Sequence, residues 1–267
     1  MGIIKQLIKQ ILRHLGIGVY NLKNARRHNM SEALDHLIAV SVSPKTVIDV
    51  GVAYGTYDLY KKFPQAVHLL VEPLKEYKGV LEKISKEYNV QYELAAAGAT
   101  HGTVEINVHP DLSGSSIFEE TEEGDVNGVL RTVPMVTLDE LCAHRNLEGP
   151  FLIKLDTQGS ELSVLEGARK VLSETDVIIM EVSLFELYRT APQFYDVVQW
   201  MKKHGFVTYD MFGGQNRPLD NALAQVDLVF VKEDSFLRQH HFYATPEQRR
   251  KHTQRVQLEN PKCSINS

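Results

Sequence analysis

The chain has 267 residues, 43% of them hydrophobic and 24% charged, which is enough for one large core with appendages and excludes a disordered or fibrous protein. A net charge of -5 argues against a general nucleic-acid binder, whose phosphate contacts call for a basic surface. Two cysteines far apart in sequence, Cys142 and Cys263, exclude a disulfide framework and point to a reducing, cytoplasmic setting.

In chain order, residues 1–43 read as N-terminal amphipathic helices serving as a cap or lid. Ile3, Ile4, Leu7, Ile8, Ile11, Leu12 and Leu15 recur at helical spacing, with Lys5, Lys9 and Arg13 opposite. A stripe of this kind packs on its own domain or on a second subunit, or lies on an anionic membrane surface, so residues 2–15 are candidates for homodimer or peripheral membrane contact. Polar residues interrupt any signal-peptide core, and Gln6 stands where myristoylation requires Ser or Thr, so neither export nor a lipid anchor is expected. No apolar run approaches the roughly 18 residues of a membrane span. A second helix is expected over residues 31–40, with Ser31 as its N-cap.

Residues 46–60, TVIDVGVAYGTYDLY, change from a β-branched run to a glycine loop to a helical pattern. The spacing D-x-G-x-x-x-G does not meet the dinucleotide fingerprint G-x-G-x-x-G. It places Asp49 at the end of a strand, Gly51 where backbone approaches a ligand closely, and Gly55 at the opening of a helix. The next apolar run ends in Glu72, about 20 residues past the glycine loop, where an acid can accept hydrogen bonds from both ribose hydroxyls of a nucleoside or can cap the helix that follows.

A strand is expected over residues 91–97, where Ala96 and its neighbours leave room for a flat ring. Gly98 and Gly102 then suggest a hairpin into an alternating strand at 103–108. Residues 111–128 are polar, acidic and rich in glycine and serine, and read either as a mobile loop over ligand or as plain surface. A strand at 130–136 leads to a helix with Thr137 as N-cap and Glu140 completing a capping box.

In residues 149–172 an apolar strand, interrupted by Lys154, ends in Asp156, and an amphipathic helix follows Gly159. The strand at 176–183 ends likewise in Glu181. A doubly wound sheet brings Asp49, Glu72 and Asp156 to one rim. A buried carboxylate there needs a partner, for which a cationic cofactor, Lys154 or a substrate hydroxyl would serve. A helix at 192–204, a short strand at 206–209, a long loop carrying Asn216 and Arg217, and a strand at 226–231 complete the core. The tail, with its adjacent His240 and His241, lacks paired carboxylates and reads as a surface helix, so no metal site is expected.

The segments VIDVGVAYGTYDLY, LLVEPLKEY, AAAGATHGTVEI, TVPMVTLDEL, IKLDTQGSELSVLEGA, VIIMEVS and QVDLVFVK together resemble the FkbM family of methyltransferases over about residues 44–232. The resemblance implies an α/β, Rossmann-like class I methyltransferase fold, a mostly parallel doubly wound sheet with an antiparallel strand at one edge. It implies S-adenosyl-L-methionine as cofactor and a hydroxyl on a sugar, glycan or small metabolite as acceptor; that no nucleic-acid partner is expected follows from the net charge instead. By position, the resemblance implies that Asp49, Gly51 and Gly55 form the cofactor loop, Glu72 holds the ribose and Asp156 lies near the transferring methyl, while the room beside Ala96 would take the adenine or simply permit close packing. Asp156, then Glu181, then Glu161 are the candidate bases for in-line transfer, although Asp156 could instead hold the cofactor or cap the next helix. Two departures stand out: Ala53 replaces the asparagine of D-V-G-A-N, and Gln158 replaces the acid of D-V-E-G. The expected organisation is a cap at 1–43, a core at 44–233 with a hairpin and loop insertion near 101–136, and a helical tail at 234–267. Two other readings stay open: a metal-dependent catechol-type enzyme, and a non-catalytic binding module held at a membrane by its N-terminal helix. The second should have lost the glycine loop or Glu72, and both are present.

Overall fold

The computed structural model describes residues 26–122 and 126–259, together with positions 7, 8, 10–12 and 14. The amphipathic stripe read from residues 2–15 otherwise lies outside the described residues. Among those described there, Leu7, Ile8 and Ile11 are exposed.

The chain divides into two compact units, Met1–Lys232 and Glu233–Ser267. In the larger unit, seven strands form one sheet: β1 (Thr46–Val50), β2 (Val67–Val71), β3 (Val90–Glu93), β7 (Phe151–Leu155), β8 (Thr175–Ser183), β9 (Phe206–Asn216) and β10 (Leu223–Lys232). Their order is β3-β2-β1-β7-β8-β10-β9, and the pairs from β3 through β8 are parallel. β10 inserts antiparallel between β8 and β9, so the hairpin β9–β10 completes that edge. Strand β1 is buried at all five positions, as a central strand with both faces covered must be. Ile48, Val50, Ile153, Leu155, Met180 and Phe230 belong to the large core on one face, which α4 (Leu138–His144), α5 (Glu161–Glu166) and α7 (Phe194–Lys203) help to close.

A second, three-stranded sheet stands over the carboxyl end of the first. β4 (Ala96–Ala97) pairs parallel with β6 (Val129–Val136), which pairs antiparallel with β5 (Gly102–Val108). The strand expected at 91–97 is thus two strands in two sheets, broken at Leu94–Ala95. The expected hairpin at Gly98 and Gly102 is not one, since β5 finds its antiparallel partner in β6. Ile106, Val108 and Val133 from this sheet pack with Leu74, Tyr77 and Ala96 into a small separate core.

Other boundaries moved for local reasons. Helix α1 spans Met30–Ala39 and is capped by Asn29, whose side chain accepts from the Glu32 amide at 2.9 Å, rather than by Ser31. Thr137 does cap α4, at 3.2 Å from the Glu140 amide, and the Glu140 carboxylate faces back to Thr137 while also reaching His101. The amphipathic run after Gly159 is two helices, α5 and α6 (Arg169–Ser173). They part at Gly167, where a Cβ would stand 2.1 Å from the Gly98 carbonyl oxygen. The long loop read around residues 213–225 is mostly strand: β9 runs to Asn216 and β10 starts at Leu223. Arg217 in the intervening turn pairs with Asp220 at 2.7 Å and lies over the Phe185 ring.

Between β1 and β2 lies the six-residue helix α2 (Tyr57–Lys62). A 3-10 turn, Lys75–Tyr77, and α3 (Lys78–Glu87) lead from β2 to β3. The smaller unit holds a 3-10 turn, Phe236–Arg238, and α8 (Pro246–Glu259), with His240 and His241 exposed. Among the described residues no group of three or more His, Cys, Asp or Glu is placed to hold a metal ion, and no helix is long and apolar enough to cross a membrane.

Candidate active site

A cleft opens where the strands β1, β2 and β7 end beneath the small sheet. Gly51, Ala53, Glu72, Ala96, Asp156 and Gln158 contribute to its walls, and Leu74, Tyr77, Ile106 and Met135 make one side apolar. This is the carboxyl rim at which open α/β sheets bind ligands.

Gly51 sits at φ +74°, and a Cβ there would lie 1.8 Å from the backbone oxygen of Asp156. Its freedom is therefore used first to let β1 and β7 end side by side, which any larger residue would prevent. Gly55 does not line the cleft; at φ +99° it turns the chain just ahead of α2, its amide donating to the Val52 carbonyl at 2.7 Å. Between them Ala53 holds φ +44°, a region costly for an L-residue other than Asn, Asp or Gly. Ala53→Asn is expected to raise the stability of the fold by about 0.5–1 kcal/mol in a denaturant titration. An unchanged or lower value would mean that the loop is not strained there.

Glu72 is 4% exposed and stands in the cleft wall. One carboxylate oxygen accepts from the Ala53 amide at 3.0 Å and the other from the Leu74 amide at 2.9 Å. Glu72 thus fastens the glycine loop to the turn after β2, and its side chain stands in the cleft wall. Burial pushes its pKa above the ordinary glutamate value, while the Ala53 and Leu74 amides pull the other way.

Asp49 takes a different place from the one its motif suggested. It is fully buried, it does not line the cleft, and one oxygen accepts from the Tyr60 hydroxyl at 2.6 Å. Its other oxygen faces the Lys154 ammonium at 3.5 Å, across the in-register pairing of β1 with β7. Lys154 also donates to the Gly51 carbonyl at 3.1 Å and lies 3.5 Å from Asp156. Burial alone would lower the lysine pKa, but the two carboxylates outweigh it and hold it above its ordinary value. Lys154 is thus the partner that the strand-end acid required, tying Asp49, the glycine loop and Asp156 together.

Asp156 reaches the cleft with its side chain 36% exposed. The Gln158 amide donates to it at 2.8 Å. Glu161 is spent on its own loop, accepting from the Thr157 amide at 2.8 Å, the Thr157 hydroxyl at 3.1 Å and the Gly159 amide at 3.2 Å. Glu181 stands one side chain behind the cleft, accepting from Gln225 at 2.7 Å and from Gln158 at 3.4 Å. Burial first, then the charges of Asp156, Asp227 and Glu161, push Glu181 up to about 8. Asp227, its register partner on β10, is pushed up to about 6 by burial and by Asp156.

Residues 111–122 are tied across the cleft. Leu112, Ser113, Ser115, Ser116 and Ile117 line it. Ser116 exchanges backbone hydrogen bonds with Asn107, and the Thr121 amide donates to the Leu187 carbonyl at 2.9 Å. The segment is therefore not plain surface, since it lines the cleft and is bonded in place there.

Two residues were missed in the sequence. For Gln158 the sequence suggests only altered substrate contacts, not a tie between Asp156 and Glu181, and nothing in it singles out Tyr77, five residues after Glu72. The Tyr77 hydroxyl is buried in the cleft wall and makes no close hydrogen bond among the described residues, with Ser113 and Tyr54 as its polar neighbours. A buried hydroxyl so weakly partnered is costly, and a ligand in the cleft would satisfy it better. Tyr77→Phe is expected to raise thermal stability of the unliganded protein slightly and to weaken S-adenosylhomocysteine binding about two- to tenfold by calorimetry. Unchanged binding would place the hydroxyl outside the ligand's reach.

The sequence profile of the Methyltransferase FkbM domain matches residues 49–208. The chain belongs to this family. It is accordingly an S-adenosylmethionine-dependent methyltransferase with a Rossmann-like class I fold. A search of curated proteins finds no match to the chain. Among solved structures it is similar to the N-methyltransferase NodS of Bradyrhizobium japonicum WM9, with 8% identity, coverage of 76% of this chain and 93% of that one, and a TM-score of 0.43. It is also similar to the S-adenosylmethionine-bound magnesium protoporphyrin IX methyltransferase of Synechocystis PCC 6803, with 10% identity, 76% and 79% coverage, and a TM-score of 0.42. A third is a Burkholderia thailandensis 1,6-didemethyltoxoflavin-N1-methyltransferase bound to 1,6-didemethyltoxoflavin and S-adenosylhomocysteine, with 10% identity, 76% and 77% coverage, and a TM-score of 0.40.

The cleft holds groups of the kind this cofactor needs: the Glu72 carboxylate would accept from ribose hydroxyls, the Tyr77 O–H would donate, and Ala96, Ile106 and Met135 would form an apolar slot for a flat base.

Proposed function

We propose that this FkbM protein transfers a methyl group to a hydroxyl oxygen of a sugar, glycan or small metabolite, with Asp156 as the base. The reading is carried by Asp156, the carboxylate at the cleft that is part-exposed while Asp49 is spent on Tyr60 and Lys154 and Glu161 on its own loop. The bound donor supplies a methyl on a positively charged sulfur, which makes that carbon a strong electrophile. The protein's part is alignment, exclusion of water and removal of one proton. Gln158 and Lys154 fix the two oxygens of Asp156, so a lone pair is presented in one direction. Asp156 would take the hydroxyl proton as the acceptor oxygen gains the methyl, the sulfur–methyl bond breaking with its electron pair left on sulfur in the released S-adenosylhomocysteine. The strap at 111–122 lines the cleft and helps to keep water from it, its Ser115 and Ser116 hydroxyls being engaged by neighbouring backbone and by Gln158.

The experiment is a screen with isotopically labelled methyl donor against sugars, glycolipids, hydroxy acids and amines, with products read by mass and by the chemical shift of the new methyl. Methyl ethers are the expected products. Methylamines would overturn the oxygen acceptor and, with it, the need for a base.

A further inference from the structure

The side-chain amide of Gln158 occupies the position where the family pattern D-V-E-G carries an acid, and it touches both strand-end carboxylates. Its nitrogen donates to Asp156 at 2.8 Å and lies 3.4 Å from Glu181, while its oxygen accepts from the Tyr188 hydroxyl at 2.8 Å. The amide faces one way, because its nitrogen meets the Asp156 carboxylate, an acceptor when ionised, while its oxygen meets the Tyr188 O–H, a donor. Tyr188 is buried, and burial with nearby acids keeps its hydroxyl protonated and a donor. The Gln158 backbone is pinned too. It holds φ +54°, and its carbonyl accepts from the Ser116 hydroxyl at 2.6 Å. Ser116, 2% exposed, belongs to the strap.

We infer that Gln158 is a positioning residue: held by Tyr188, its amide spaces Asp156 from Glu181 and fixes the Asp156 carboxylate toward the acceptor, and Ser116 links that setting to the strap. The inference rests on the role proposed for Asp156. A carboxylate at this position could donate to neither neighbour while ionised. It would also add a negative charge among Asp156, Glu181, Asp227 and Glu161, with Lys154 as the cation of the group.

The test needs no acceptor. Side-chain carboxyl carbons are followed by NMR as pH is varied in the full-length protein, with Glu181 assigned from E181Q. Q158E is expected to raise the Glu181 midpoint by about one pH unit, a tenfold gain in proton affinity, because a like charge arrives beside it. Q158M, which keeps the volume and removes the donor, should raise it by less. Tyr188→Phe should shift it in the same direction as Q158M and add nothing on top of Q158M, since both act through one amide. An unchanged Glu181 midpoint in Q158M and Q158E overturns the inference. Additive effects of the Tyr188 and Gln158 changes overturn the link between them. If instead no hydroxyl is ever methylated, the function proposed above fails while these titrations stand.

Discussion

Asp156→Asn is expected to lower the rate of methyl transfer by about 10²- to 10⁴-fold, the contribution typical of a positioned base, while S-adenosylmethionine affinity changes little. The prediction is sharp because the substitution disturbs little else. An asparagine can still accept from Gln158 through its oxygen, and Lys154 keeps Asp49 and the Gly51 carbonyl as partners. The buried ammonium is therefore not stranded, and the loss of stability should stay below about 2 kcal/mol. Turnover measured at saturating acceptor, with calorimetry alongside, separates the cases. Full activity in D156N would remove Asp156 as base. Loss of cofactor binding in step with turnover would make it a cofactor ligand instead.

The second large effect is expected at Glu72. Two ribose hydroxyls donating to a carboxylate contribute on the order of 1.5–3 kcal/mol each, so Glu72→Ala should weaken S-adenosylhomocysteine by at least about 100-fold. The same change strips a partner from the Ala53 and Leu74 amides, which the Glu72 carboxylate joins across the cleft wall. A destabilisation of about 2–4 kcal/mol is expected with it. Glu72→Gln separates the two roles: it keeps one acceptor oxygen for the loop and loses the charge, so stability should recover by more than affinity does. Wild-type affinity in Glu72→Ala would displace the ribose from this acid.

Much of this was legible in the sequence. The change from β-branched run to glycine loop to helical pattern at residues 46–60 marks β1 and the loop after it, because strand and helix periodicities differ and Gly51 breaks one from the other. Glu72 and Asp156 were readable as strand-end acids, since a charge closing an apolar run in a parallel sheet must come out at its rim. The same logic failed for Asp49. It also closes an apolar run, yet its side chain is set by register: opposite Lys154 and beneath Tyr60 it serves the interior, and linear spacing carries no information about that face. Sequence patterns likewise overstated the loop near residue 213, because pairing with β10 overrides the weak strand propensity of Gly213, Gly214, Gln215 and Asn216.

What the sequence determined by itself was the family, the sheet's rim and the acids that close its strands, because local periodicity and chain order suffice for those. The tertiary structure decided which acids face the cleft and which are consumed in pairs. It joined residues far apart in the chain, Asp49 with Lys154, Gln158 with Tyr188 and Ser116, and Tyr77 with the small sheet. Each of those pairings depends on a distance of a few ångströms between separate elements, and only packing sets that distance.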